Sequence, residues 1–373
     1  MHKNPLLYPF SLIFGFIVHL RHLLFEMKIL KTTSFDIPII SVGNITVGGT
    51  GKTPHTEFLI NILKKDYKTA VLSRGYKRKT KGFVLGNLDS TSKQIGDEPK
   101  QMKQKFNEVT VAVCESRVKG VKRLLQENND LDVILLDDAF QHRYIKPGLS
   151  ILLIDYNRPV TDDHFIPYGN LRDNFNQTHR ANIIIVTKTP ENVKPIDMRV
   201  METSLELMAF QSIYFTKIGY GDLTPVFKKE ALMLDIEIIK NQKYSILLVS
   251  GIASPTPFID FVKSFSTDIE TLEFPDHHIF TEKDKNKISD VFNMLKNEKK
   301  IIITTEKDAM RFTEIETLNP EIKKSLFYVP IDPIFLNNQG ETFKSHILNF
   351  VNKETNQNHF YSTKRQYYSN NNE

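Results

Sequence analysis

The chain of 373 residues has a single cysteine, Cys114, so no internal disulfide can form, and nothing points to a zinc site. A reducing compartment is expected. Strong charge of one sign is also missing. Lys and Arg number 49 against 44 Asp and Glu. That excess lacks the concentrated basicity of a nucleic-acid protein, yet it suits an anionic partner such as ATP, a phosphorylated substrate or a lipid surface. Formal charge is absent altogether from residues 4–20, NPLLYPFSLIFGFIVHL. As a helix this run would cover roughly 25 Å, slightly short of the ~30 Å hydrocarbon core, and Pro9 limits a straight rod. The following LRHLLFEMKILK offers no small-residue cleavage site, which counts against a secretory signal. A membrane-anchoring helix is the favoured reading, with a buried core helix as its alternative. Arg21, Lys28 and Lys31 outnumber the basic residues before the run, which predicts that the rest of the chain is cytoplasmic, where ATP is.

What the chain does have is length for two α/β domains and an ordinary apolar fraction, with a quarter of its residues charged. Its strongest signal is residues 38–54, PIISVGNITVGGTGKTP. A β-branched run stops at Gly48, Gly49, Thr50, Gly51, Lys52 and Thr53. Next comes HTEFLINILKK, with Phe58, Leu59, Ile62 and Leu63 on one helical face. Strand, glycine loop and helix form a phosphate cradle: glycines let backbone N–H groups turn toward an anion, and the helix N-terminus adds positive charge. Lys52 is expected to reach the β- and γ-phosphates, and the Thr53 hydroxyl to ligate Mg²⁺. The full Walker pattern would place a glycine where Thr46 stands. The membrane-associated ATPase variant would place a lysine at Val47.

Other expected site pieces follow predicted strands, on the side where parallel sheets bind ligands. Strand 69–73 leads to Arg74 and the basic loop of Lys77, Arg78, Lys79 and Lys81, read as a solvated surface or a phosphate contact. Gly96-Asp97-Glu98-Pro99 opens a helix, so Asp97 is either a cap or a catalytic carboxylate. DVILL, residues 132–136, runs into Asp137 and Asp138, the Walker B arrangement for Mg²⁺; Gln141 and His142 lie within one turn. After strand 183–186, Pro190 occupies the place of a guanine-reading Asp, which favours ATP over GTP.

Strands alternating with helices over residues 38–188 predict a mostly parallel, doubly wound P-loop sheet. The division expected is a membrane-associated helix (1–26), a P-loop kinase domain (27–190), a linker (191–243), a second, smaller α/β domain (244–350) and a loose polar tail (351–373). In the second domain, Asp276-His277-His278 suits acid–base work better than a metal, since adjacent histidines point different ways.

SVGNITVGGTGKTP, LSRGYKRKTKG, GDEP, LLDDAFQH, PYGNLRD, VSGIASP, FPDHHIF and TTEKDAMR occur in that order between Ser41 and Arg311. In this series the chain resembles the tetraacyldisaccharide 4′-kinases, the lipid A 4′-kinases of Gram-negative bacteria. The resemblance implies ATP-dependent phosphorylation of the 4′-hydroxyl of an acylated glucosamine disaccharide 1-phosphate, by two α/β domains joined through a short β linker. It also implies work at the cytoplasmic face of the inner membrane. By motif position Asp97 looks like the general base and His277 like its partner. Asp137, Asp138, Gln141 and His142 fall around metal and phosphate, and Arg172 looks like a phosphate-side contact, with Arg117 a second candidate. Asp173 stands where the family usually has Glu, and Tyr168 where a small residue is common. Two other readings share the nucleotide half: a membrane-bound P-loop switch, against which Val47 counts, and another small-molecule P-loop kinase or ligase, which gives no reason for the apolar N-terminus.

Overall fold

The computed structural model describes residues 4–231, 233–276, 278–315 and 317–370, with side chains as far as residue 356. The chain opens on α1 (Tyr8–Glu26). The first unit then runs through β1 (Ile39–Gly43), α2 (Lys52–Leu63), β2 (Thr69–Ser73), β3 (Val84–Gly86), α3 (Ser92–Ile95) and α4 (Asp97–Lys105). It continues with β4 (Thr110–Val113), α5 (Arg117–Glu127), β5 (Val133–Asp137), β6 (Leu149–Asp155), β7 (Ile183–Thr187), α6 (Pro195–Ser204) and β8 (Ser212–Tyr220).

These strands build a nine-stranded sheet in the order β14-β8-β7-β6-β1-β5-β2-β4-β3, the edge strand β14 being Ile331–Phe335. β1 lies between β5 and β6, parallel to both. From it the chain winds first toward β2 and later back toward β6 and β7. Ligands bind at such a reversal, outside the strands' carboxyl ends. β1, β2, β5, β6 and β7 are buried along their whole length, as strands covered on both faces must be. Side chains alternate between the faces: Ile40 and Val42 join Leu59 and Leu63 of α2, whereas Ile39 joins Val121 and Leu124 of α5.

The second unit passes through β9 (Thr224–Pro225), α7 (Ile236–Asn241), β10 (Ser245–Ser250), α8 (Thr256–Lys263) and β11 (Ile269–Glu273). Next come α9 (Glu282–Met294), β12 (Lys300–Thr305), α10 (Glu306–Phe312), α11 (Pro320–Ser325) and β13 (Leu326–Val329). Its five-stranded sheet has the order β11-β10-β12-β13-β9.

The division of the chain differs from the one composition predicts. Residues 191–243 are more than a linker: β8 pairs parallel with β7 and extends the first sheet. The chain then crosses twice between the units, once past Gly221 and once at Pro330, where the Gly221 N–H donates to the Pro330 carbonyl at 3.0 Å. After the second crossing β14 pairs antiparallel with β8. The expected boundary at residue 350 also falls inside a helix. α12 (Gly340–Asn370) seats Phe343, Ile347 and Val351, spaced by four, in the first unit's core beside Leu59 and Ile60. Burial of that apolar face stabilises a segment whose average composition is polar.

α1 packs through a narrow stripe of Ser11, Gly15, His22 and Phe25, while Phe10, Leu12, Ile13, Phe16, Ile17 and Leu20 are exposed. It is therefore no core helix. Residues Pro5–Glu26 are long and apolar enough to cross a membrane by length and composition.

Candidate active site

The loop between β1 and α2 turns at Gly48 and Gly51, whose φ values of +94° and +82° fall where a side chain is strained. Gly51 precedes the first residue of α2, and no side chain caps that end. The first-turn N–H groups thus face outward, as an anion site requires. Asn44 braces the loop from below by donating to the Thr50 hydroxyl at 2.8 Å, and Thr187 donates to the Thr50 carbonyl at 3.0 Å. Arg158, missed in the sequence, lies over Gly48: a Cβ there would sit 2.8 Å from its guanidinium.

At the end of β5 the two carboxylates have opposite surroundings. Asp137 is 5% exposed and accepts from the Thr56 hydroxyl at 3.3 Å and the Ser73 hydroxyl at 3.1 Å. Burial, and then the charge of Asp138, push its pKa up to about 6. Asp138 keeps 35% of its side chain exposed; the water it does lose works against ionisation, but Lys52, 3.8 Å away, and Arg172, at 2.8 Å, outweigh that and hold it at about 2. Arg172 grips both oxygens of Asp138 and also donates to the Asn44 side chain. Gln141 donates to the Asn44 carbonyl at 2.6 Å. Burial, together with the charges of Arg117, Arg74 and Arg21, lowers His142 to about 4, so its ring is neutral at pH 7. Arg117 itself is 1% exposed and donates to the carbonyls of Cys114, Asp137 and Asp138. It props the backbone under the two carboxylates rather than facing a phosphate.

Asp97 belongs to a second cluster. The N-cap of α4 is Gly96, and Asp97 is the first residue inside the helix. Its carboxylate accepts from Arg311 of α10 at 3.2 Å and 2.6 Å. Arg311 is fixed in turn by Asp308 at 2.7 Å, which also accepts from the Gly251 N–H and the Thr305 hydroxyl. The VSGIASP and TTEKDAMR motifs are thereby knotted around one buried carboxylate and aimed at GDEP. Glu98 connects the clusters, since its charge is among the causes that raise Asp137. His277 lies outside the described residues. Its neighbour Asp276 is 3.1 Å from Lys307, which is 3.6 Å from Glu98.

The basic loop has a structural member: Arg78 pairs with Glu115 at 2.6 Å, while Lys77 and Lys79 are exposed. Asp173 is not directed at the phosphate side. It is 1% exposed and meets His22 at 2.5 Å and Arg180 at 3.5 Å.

Among the described residues no group of three or more His, Cys, Asp or Glu is gathered as a metal cage. Magnesium takes one or two carboxylates and completes its shell with water and phosphate oxygens, which suits the all-oxygen donors Asp137 and Asp138 beside a phosphate loop.

Comparison with known proteins gives the family. A family profile described as tetraacyldisaccharide-1-P 4′-kinase matches residues 3–352. The tetraacyldisaccharide 4′-kinase of Phocaeicola vulgatus is 48% identical over 359 residues, 96% of this chain and 98% of that protein. The enzyme of the same name from Bacteroides thetaiotaomicron is 46% identical over 94% of this chain and 93% of its own length. Among solved structures, LpxK from Aquifex aeolicus in complex with ATP superposes with a TM-score of 0.71 at 26% identity, covering 92% of this chain and 98% of that one. With the glycine loop, the paired carboxylates and the profile match all on one chain, this protein belongs to the tetraacyldisaccharide-1-P 4′-kinase family.

Proposed function

We propose that the chain uses ATP to phosphorylate the 4′-hydroxyl of a tetraacylated glucosamine disaccharide 1-phosphate. The observation that carries this reading is the family match together with the two carboxylate clusters: one beside a phosphate loop, the other formed by Asp97 of the first unit with Arg311 and Asp308 of the second.

Gly48, Gly49, Thr50, Gly51, Lys52 and Thr53 cradle the triphosphate, with Lys52 drawing charge from the β- and γ-phosphates. Asp137 packs against Thr56, one helical turn beyond Thr53 on the same face of α2, so Thr53, Asp137 and Asp138 would hold magnesium. Gln141 and His142 complete the polar wall. Bound there, the metal would neutralise phosphate charge as the bond to ADP loosens. Arg172 is released from Asp138 toward the transferring phosphoryl group. Asp97 accepts the proton of the 4′-hydroxyl as its oxygen joins phosphorus, and ADP leaves; His277 orients or tunes Asp97 from the second unit. The ion chain from Asp276 through Lys307 to Glu98 supports that pairing.

The exposed apolar face of α1 brings the protein to its lipid acceptor. The basic residues after the run favour the cytoplasmic face of the inner membrane. The test is to incubate purified protein with Mg-ATP and the disaccharide 1-phosphate and look for a new phosphate by mass spectrometry. Absence of transfer sinks the proposal. In the same assay Asp97→Ala should lower turnover by roughly 10²–10⁴-fold with ATP affinity nearly intact. Equal loss of both would make Asp97 structural.

A further inference from the structure

α1 is fastened to the molecule by polar bonds, and those bonds end on loops that also carry residues of the candidate site. Along its length it touches two loops. The Ser11 hydroxyl donates to the Phe165 carbonyl at 2.5 Å, and a Cβ on Gly15 would lie 2.6 Å from the Phe165 ring. Arg21 donates to the main-chain carbonyl of Gln141 at 2.7 Å. His22, 3% exposed, meets Asp173 through Nε2 at 2.5 Å and Arg143 through Nδ1 at 2.7 Å. One neutral tautomer satisfies both, with Nε2–H donating to the carboxylate and Nδ1 accepting from the guanidinium.

Two of these contacts, at Asp173 and at Gln141, are one step from the site. Asp173 follows Arg172, which clasps Asp138. Gln141 reaches Asn44 through its side chain, and Asn44 also receives Arg172. Phe25 seals the end of the helix beneath Arg143 and Arg21, at 5.0 Å and 5.4 Å. A helix serving only as an anchor needs apolar packing at its base. Burying a histidine–carboxylate pair there costs desolvation, and such pairs are suited to fixing one register between elements.

We infer that α1 is a positioning element for phosphoryl transfer, with Arg21 and His22 the positioning residues through which a lipid surface on its apolar face fixes loops 138–146 and 163–173. The inference rests on the proposed kinase reading for its activity readout alone.

The experiment uses the full chain and two readouts. In the transfer assay, Arg21→Ala and His22→Ala should keep vesicle binding, because the apolar face is untouched. The KM for ATP and for glycolipid should stay within a few-fold, while kcat falls by about 10²-fold, the effect of displacing a catalytic group by about an ångström. Arg21→Lys and His22→Gln, which restore one bond each, should recover part of kcat. An unchanged kcat, or a loss of vesicle binding in step with activity, overturns the inference. The second readout needs no turnover. Vesicles of phosphatidylethanolamine and phosphatidylglycerol should slow amide exchange across residues 138–146 and 163–173 in the wild type but not in His22→Ala. Equal protection in both overturns it. Should His22→Ala fail to melt cooperatively, Arg21→Ala, which removes one bond from a half-buried site, takes its place. A wild type without transfer activity defeats the kinase reading and leaves the exchange comparison standing.

Discussion

Asp137 and Asp138 are adjacent in sequence, yet the fold pushes one toward the neutral acid and holds the other as a carboxylate. The difference is a matter of which groups face them. Lys52 and Arg172 stand directly at Asp138, while Asp137 is offered two hydroxyls and a dry wall. A carboxyl whose folded pKa is raised is ionised more easily in the unfolded chain. Its contribution to stability therefore declines as pH rises from about 4 to about 6, then stays level. Two pKa units correspond to about 3 kcal/mol at most. Asp137→Asn should remove that decline. In metal-free buffer at pH 7.5 it should melt no lower than the wild type while losing transfer activity, a stability held back for function. A lower melting temperature for Asp137→Asn at that pH would mean its carboxylate is needed for folding. The pair was legible in the sequence because an apolar run followed by two acids has few other uses beside a P-loop. Arg311 and the His22–Asp173 contact were not. Their partners lie 214 and 151 residues away, and no local pattern announces such a bond.

At the scale of single elements, the glycine loop and α2 were the most readable part of the chain, because positive φ and an uncapped helix end both demand glycine locally. Gly48 shows how tight that demand is. Alanine there must adopt φ +94°, which is where the strain lies; the Arg158 guanidinium 2.8 Å from its Cβ is the far end of a flexible side chain and can move aside. Strain of this kind costs about 1–3 kcal/mol. If it is relieved by reshaping the loop, Gly48→Ala should weaken ATP binding by roughly tenfold or more, the equivalent of about 1.4 kcal/mol. The melting temperature should barely move, since the loop contributes little to the core. Calorimetric titration with ATP checks this, and an unaltered affinity would show that the cradle tolerates a side chain. β14 and α12 were harder to see. Phe343, Ile347 and Val351 form a helical stripe, but the surrounding Asn, Gln, Ser and Lys dilute it, and nothing local says which sheet it covers.

The whole molecule is held together across its two units by charge as well as by the paired crossings. Lys105 of α4 bridges Glu57 of the P-loop helix at 2.6 Å and Glu306 of α10 at 3.0 Å. Lys100 of the same helix reaches Glu314 at 2.8 Å and the Met310 carbonyl at 2.9 Å. α4 is thus the common strut: its first residue offers Asp97, and its last turn ties the nucleotide helix to the second unit. The two carboxylates around Lys105 are both buried. Burial, and for Glu57 the nearness of Glu306, push their pKa values up, with the lysine opposing that rise. Removing one partner of a buried pair typically costs about 3–5 kcal/mol, and the partial exposure of Lys105 argues for the low end. Lys105→Met leaves two acids facing each other, so their folded pKa values climb further and they take up protons. Protonation relieves the repulsion at low pH but not at high pH. The stability lost by Lys105→Met should therefore be small near pH 6 and grow toward pH 8, and adding Glu57→Gln should recover most of it. Thermal melts of the three proteins at both pH values decide the matter. A loss of equal size at pH 6 and pH 8 would mean that the lysine's aliphatic stem, rather than its charge, joins the two units.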